Sequence, residues 1–270
     1  MNPPAPAAPR PVTVPDFRAA KARGEKLAVV TAYDYTSARL ADDAGVDAVL
    51  VGDSLGMVVQ GHPTSLPVTL RDIAYHTRCV VRGVRRALVV ADLPFLTYQV
   101  SPRQAVRSAG KLMKEAGAHA VKLEGGERMA ETIRAVVAAG IPVMGHVGLT
   151  PQSVHLFGGF KVQRDEAQLL ADAAAVAAAG AFAVVVESVP ADVATKLTRA
   201  VGVPTIGIGA GAGCDGQVLV FHDMMGLFTD FRPKFVKRYA DLGGQVRAAV
   251  ETYCREVRDG TFPGAEHSFR

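Results

Sequence analysis

Short runs of uninterrupted apolar, mostly β-branched residues recur along the chain, separated by longer stretches in which alanine and polar residues mix at helical spacing. The runs are 27–31 (LAVVT), 48–52 (AVLVG), 87–91 (ALVVA), 120–123 (AVKL), 143–147 (VMGHV), 183–186 (AVVV), 205–208 (TIGI) and 217–221 (QVLVF). Continuous apolarity, rather than alternation, marks strands covered on both faces, as in parallel sheets. The stretches 101–116, 127–139, 164–179 and 190–201 read as helices. Gly45, Gly117, Gly140, Gly180 and Gly202 stand just before apolar runs, where a glycine ends a helix without a Cβ penalty. Eight alternating units in about 250 residues predict an α/β fold, a (β/α)8 TIM barrel. One interval disagrees, because 205 to 217 is too short for a full helix between the last two strands. A doubly wound open sheet is the alternative. No shift in composition splits the chain. Residues 1–15, with six prolines, read as a disordered arm, and 16–270 as one barrel domain. Its end, 234–258, adds one or two helices as a C-terminal extension.

Composition narrows the class. Lys and Arg exceed Asp and Glu by only 30 to 26, aromatics are 6%, and there is no Trp. Neither the basic stripe nor the stacking surface of a nucleic-acid binder is present. Cys79, Cys214 and Cys254 are too far apart for a disulfide framework, which fits a cytoplasmic protein. The longest uncharged apolar stretch, 173–186, has 14 residues, short of the ~20 that cross a bilayer. The proline-rich start lacks the apolar core of a signal peptide.

Barrel enzymes carry their chemistry at the C-terminal ends of the strands. Past the apolar runs stand Asp34, Asp53-Ser54, Asp92, Lys122 with Glu124, His146, Glu187-Ser188 and His222-Asp223. One acidic residue in such a place is more often a helix cap. Ionisable groups at seven of eight ends favour a site. Asp53, Asp92 and Glu124 are hard oxygen donors that suit Mg²⁺ with open positions for substrate. Such an ion could chelate a 2-oxo acid and stabilise the enolate left when the neighbouring carbon loses a proton. Lys122 adds positive charge there, and Glu187 or His146 could move the proton.

Several motifs then resemble one family. They are Thr31-Ala32-Tyr33-Asp34, Val51-Gly52-Asp53-Ser54-Leu55-Gly56, Ala91-Asp92-Leu93-Pro94-Phe95 and Val121-Lys122-Leu123-Glu124-Gly125-Gly126. Further matches are Gly145-His146-Val147-Gly148-Leu149-Thr150-Pro151-Gln152, Phe157-Gly158-Gly159, Glu187, Ile206-Gly207-Ile208-Gly209-Ala210-Gly211, Cys214-Asp215-Gly216-Gln217, His222-Asp223 and Arg232-Pro233-Lys234-Phe235. In this order, over roughly 15–265, the chain resembles the ketopantoate hydroxymethyltransferases of pantothenate synthesis. The resemblance implies a barrel of the phosphoenolpyruvate/pyruvate type and a cytoplasmic homo-oligomer, commonly a decamer built as a pentamer of dimers. It implies hydroxymethyl transfer from 5,10-methylenetetrahydrofolate to 3-methyl-2-oxobutanoate, with Mg²⁺. Carried over, Asp53 and Asp92 are metal carboxylates that also meet the substrate, and Glu124 is a third, more often water-mediated, metal contact. Ser54 and Lys122 bind the oxo acid, Glu187 is the proton acceptor, and His146 is a polar group beside the substrate.

Other features weigh less. The glycines of 207–216 follow the seventh strand with no helix after them, unlike a dinucleotide fingerprint. Arg78, Arg82, Arg85 and Arg86 read as a solvated face or subunit contact. Arg232, Lys234, Lys237 and Arg238 could attract the glutamate tail of folate. His62, His76, His119, His155 and His267 read as structural, and Cys214 has no base nearby in sequence. Competing readings are a lyase or mutase of the same barrel type, a Schiff-base aldolase using Lys122, and a binding protein without catalysis.

Overall fold

The computed structural model describes residues 10–269. Eight parallel strands close into a barrel in sequence order: β1 (Leu27–Thr31), β2 (Ala48–Val51), β3 (Leu88–Asp92), β4 (Ala120–Glu124), β5 (Val143–Gly148), β6 (Ala183–Glu187), β7 (Thr205–Ile208) and β8 (Gly216–Leu219). β8 returns to pair with β1, Leu27 beside Gly216 through Val30 beside Leu219, so the open-sheet alternative is excluded. The eighth strand ends before its expected limit of 221, because Phe221 opens a helix.

The helices are α1 (Val14–Arg23), α2 (Tyr35–Asp43), α3 (Leu55–Val58), α4 (Leu70–Gly83), α5 (Pro102–Ala116), α6 (Ala130–Ala138), α7 (Val154–Phe157), α8 (Glu166–Ala178), α9 (Ala191–Ala200), α10 (Phe221–Met224) and α11 (Leu242–Asp259). Their starts follow local chemistry. Thr69 and Asp72 form a capping box on α4, and Ser101 caps α5 ahead of Pro102. Gly117 ends α5 at φ 80° and donates to Leu112 O and Met113 O. Of the glycines expected before apolar runs, Gly45, Gly117, Gly140 and Gly180 are left-handed, and Gly202 is not. The tail expected to be helical over 234–258 forms one helix, α11, from residue 242.

Residues 1–9 of the expected arm lie outside the described residues. From residue 10 the chain is placed: Val12 N donates to Arg86 O, and Thr13 and Asp16 form a capping box that starts α1 at Val14. The expected arm therefore overlaps the first turn of α1, where Pro15 lacks an N–H that a helix start does not need. Phe17 and Ala20 of α1 are buried with Leu27, Leu50, Leu88, Met144, Phe182 and Ile206 in the barrel core. The rings of Phe17 and Phe182 meet edge to face at 5.8 Å.

No helix separates β7 from β8 among the described residues. The connecting loop is held from outside itself. Asp215 accepts from Thr205 N at 2.9 Å and from Lys21 Nζ of α1 at 2.8 Å. The chain divides into two compact units, one through Val220 and the other from Phe221, where the sequence reading has one domain with added helices. α10 and α11 belong to the second.

Candidate active site

Strand register brings the expected groups together. Asp92 at the end of β3 pairs with Lys122 of β4, Glu124 pairs with His146 of β5, and Gly148 pairs with Glu187 of β6. Lateral partners in a parallel sheet point to the same face, so the first two pairings become side-chain contacts at the C-terminal end of the barrel. Glu187, beside the side-chain-free Gly148, reaches His146 on the same face. Lys122 Nζ lies 2.7 Å from Asp92 Oδ1 and 3.9 Å from Glu124 Oε1. It is also 3.3 Å from His146 Nδ1. His146 Nδ1 is 3.5 Å from Glu124 Oε1, and its Nε2 is 3.2 Å from Glu187 Oε2. Asp53, just past β2, donates its backbone N–H to Asp92 Oδ2 at 3.1 Å.

The cluster is buried at its base and more exposed at Glu187. Side chains of Asp92, Lys122, Glu124 and His146 are 2–4% exposed, against 16% for Glu187. Glu187 is therefore the most accessible carboxylate of this group. Burial pushes the Asp53 carboxyl well above the usual range, and the neighbouring charges of Asp92 and Glu124 push it further. Burial also raises Asp92, although Lys122 partly offsets it. Burial works against the Lys122 charge too, but Asp92, Glu124 and Asp53 outweigh it and hold the ammonium above its ordinary value. For Glu124, burial is overcome by the hydrogen bond and charge of His146, so its carboxyl is lowered. His146 is opposed by burial and by Lys122, yet hydrogen bonds to Glu124 and Glu187 hold it up to about 9.

Three residues that sequence reasoning gave no role complete the frame. Tyr33 OH and Ser54 Oγ are 2.8 Å apart, and Ser54 makes no capping bond to α3, so its hydroxyl stays in the site. Tyr98, fully buried, accepts from Glu124 N at 3.1 Å. Its hydroxyl lies 2.8 Å from Gln152 Oε1 and 3.0 Å from Glu124 O, with one proton to give. Gln152 donates its side-chain amide to Asp53 Oδ2 at 2.9 Å and its backbone N–H to Glu124 Oε2 at 3.0 Å. All three residues are neutral at physiological pH, so a scan for ionisable strand ends passes over them. Tyr33 and Gln152 stand within the motifs 31–34 and 145–152, whereas Tyr98 lies three residues beyond the motif 91–95.

One expected position serves a helix. Asp34 caps α2, accepting from Ser37 N at 2.8 Å, the structural role such a residue more often has. His222 and Asp223 lie in α10 of the second unit. In that unit Arg232 and Arg238 donate to Val236 O and Phe228 O, and Lys237 lies 4.7 Å above the Tyr239 ring.

The donor set fits a hard divalent cation. Among the described residues, Asp53, Asp92, Glu124 and Glu187 have Lys122 and His146 as cationic partners, and burial, with neighbouring carboxylate charge added to it, raises the Asp53 and Asp92 carboxyls. Among the described residues, no group of three His, Cys, Asp or Glu side chains is spaced to hold an ion. Glu124, expected as a more often water-mediated contact, is engaged by Gln152 and His146. Asp53 and Asp92 remain adjacent, and Mg²⁺ commonly binds through one or two carboxylates with water in its other positions.

Comparison with known proteins places the chain among relatives. A family model described as ketopantoate hydroxymethyltransferase matches residues 11–265. A 3-methyl-2-oxobutanoate hydroxymethyltransferase of Moorella thermoacetica is 60% identical over 263 residues, covering 96% of this chain and 98% of the relative. One of Syntrophus aciditrophicus is 56% identical, covering 96% and 97%. Among solved structures, phosphonopyruvate hydrolase superposes with a TM-score of 0.64 at 17% identity, covering 96% of this chain and 92% of that one. 2,3-Dimethylmalate lyase, of the PEP mutase/isocitrate lyase superfamily, does so at 0.62 and 19%, covering 97% and 93%. At that identity the two structures speak for the barrel fold alone.

Proposed function

The chain belongs to the ketopantoate hydroxymethyltransferase family, and from that premise we propose how its barrel does the family's work. The enzyme transfers a hydroxymethyl group from 5,10-methylenetetrahydrofolate to 3-methyl-2-oxobutanoate, giving 2-dehydropantoate and tetrahydrofolate, the first step of pantothenate synthesis. The observation that carries the mechanism is the continuous contact chain Asp92–Lys122–His146–Glu187, buried at one end and more exposed at the other.

Glu187 takes the proton from C3 of the oxo acid. His146 is the weaker candidate for that step, because its pKa of about 9 leaves it protonated at neutral pH. Its Nε2, 3.2 Å from Glu187 Oε2, sets a positive charge beside that carboxylate instead. Lys122 supplies a fixed cation beside the charge that develops on the substrate, where a preorganised group needs no reorientation. Ser54, steadied by Tyr33, offers a hydroxyl to the substrate carboxylate. Asp53 and Asp92 would hold Mg²⁺, with Glu124 behind them, and the bound ion would supply Lewis-acid stabilisation of negative charge on the oxo acid. A Schiff base at Lys122 is disfavoured, since its carboxylate neighbours keep the amine protonated. Lys234 and Lys237 would attract the glutamate tail of the folate; their removal is expected to raise KM selectively for polyglutamyl folate, and an unchanged KM ends that point. The working form is a cytoplasmic homo-oligomer, a decamer, acting on small molecules and on neither nucleic acid nor membrane.

Proton exchange at C3 of 3-methyl-2-oxobutanoate, followed by NMR in deuterated water without folate, tests the reading. Exchange is expected to require a divalent cation and to slow by roughly 10²-fold or more in Glu187→Gln. Exchange that survives chelator, or that Glu187→Gln leaves unchanged, overturns it.

A further inference from the structure

Gln152 stands in the short turn after β5, 6% exposed, with every polar atom of its side chain engaged. Its Nε2 donates to Asp53 Oδ2 at 2.9 Å and to Leu93 O at 3.0 Å. Its Oε1 receives Gln99 Nε2 at 3.0 Å and lies 2.8 Å from Tyr98 OH. The amide cannot be turned over. A flip would set Oε1 against the acceptors Asp53 Oδ2 and Leu93 O, and would bring two amide NH₂ groups together. The backbone N–H of the same residue holds Glu124 Oε2 at 3.0 Å.

One residue therefore takes one oxygen from each of two carboxylates that start on different strands. No hydrogen bond from a described residue reaches the other oxygen of Asp53, and Glu124 Oε1 faces His146 and Lys122. We propose that Gln152 is a positioning residue for the cation: its locked amide sets which oxygen of Asp53 is presented, and its backbone fixes Asp53 relative to Glu124. Partners of this kind orient metal-binding carboxylates, and losing one typically weakens metal affinity 10–100-fold. This inference rests on the reading of Asp53 and Asp92 as the metal carboxylates.

The test is Mn²⁺ binding to the full-length protein, measured by titration against the electron paramagnetic resonance signal of the free ion. Thermal melts of the same samples report folding. Gln152→Ala is expected to weaken Mn²⁺ at least about 10-fold with the fold retained. Gln152→Glu, which sets an acidic group against Asp53, should weaken it further. Tyr98→Phe, which removes one lock on the amide, should give a smaller loss and serves if the Gln152 variants do not fold. Asp92→Ala separates the two ideas. If Asp92→Ala abolishes binding while folded Gln152 or Tyr98 variants bind as the parent does, the positioning role is wrong and the metal reading stands. If Asp92→Ala also leaves binding unchanged, both fall.

Discussion

The same strands end in two different environments. At their N-terminal ends α1 presses Phe17 into a layer of Leu27, Leu88, Met144 and Phe182, with no buried charge among them. At their C-terminal ends Asp53, Asp92, Lys122, Glu124 and His146 are as thoroughly buried, yet all carry ionisable groups. Burial stabilises the first layer, because apolar area leaves water. In the second it opposes the charge of every member of the network. The barrel is stable through one end and reactive through the other, so changes at the two ends should have opposite signatures.

The sharpest break in that contrast is Asp92→Ala. Steady-state turnover with added Mg²⁺ should fall roughly 10⁴-fold, more than about 5 kcal/mol of barrier, while circular dichroism shows an intact barrel. Phe17→Ala should do the reverse. Denaturant titration should show a loss of about 3–5 kcal/mol, with turnover per folded molecule unchanged. Loss of catalysis at Phe17, or of folding alone at Asp92, would erase the distinction.

A pH series sharpens it next. His146 has its folded pKa raised to about 9 from an ordinary 6.5. The stability it contributes is therefore complete below about pH 6.5 and is lost as pH rises through about 9, at most about 3 kcal/mol. Thermal melts of chelator-treated protein should show this decline, and His146→Asn should flatten it. The smallest effect is expected at Asp53. Its carboxyl is raised, so ionising it at neutral pH costs stability in the absence of a cation. Asp53→Asn should raise the melting point of chelator-treated protein, by about 1 kcal/mol in stability, while removing activity. A lower melting point would show that the carboxylate supports the fold.

Much of this division was legible in the chain. Strands buried on both faces appear as unbroken apolar runs, and the groups at their ends could be read off directly because βα loops build the working face. Asp34 shows where that logic overreaches, since capping a helix and lining a site call for the same residue type. Gln152, Tyr98 and Tyr33 escaped because their roles depend on partners from other strands, not on any charge of their own. α1 escaped for a related reason. Its apolar residues are few, and only the closed barrel supplies the cavity that Phe17 fills. The short β7–β8 interval was visible as an anomaly, but the lysine that steadies it lies far away in sequence.

That lysine has a consequence for how the molecule is made. The Lys21–Asp215 pair joins residues 194 positions apart, and β1 finds its second neighbour only in β8. On the ribosome, α1 and β1 emerge before the rest of the barrel, and β1 waits for β8 before both its edges are paired. Such distant contacts are slow to form, so closure belongs among the last events of folding. A chain stalled before Asp215 would leave Lys21 without that carboxylate and one edge of β1 without its neighbour β8.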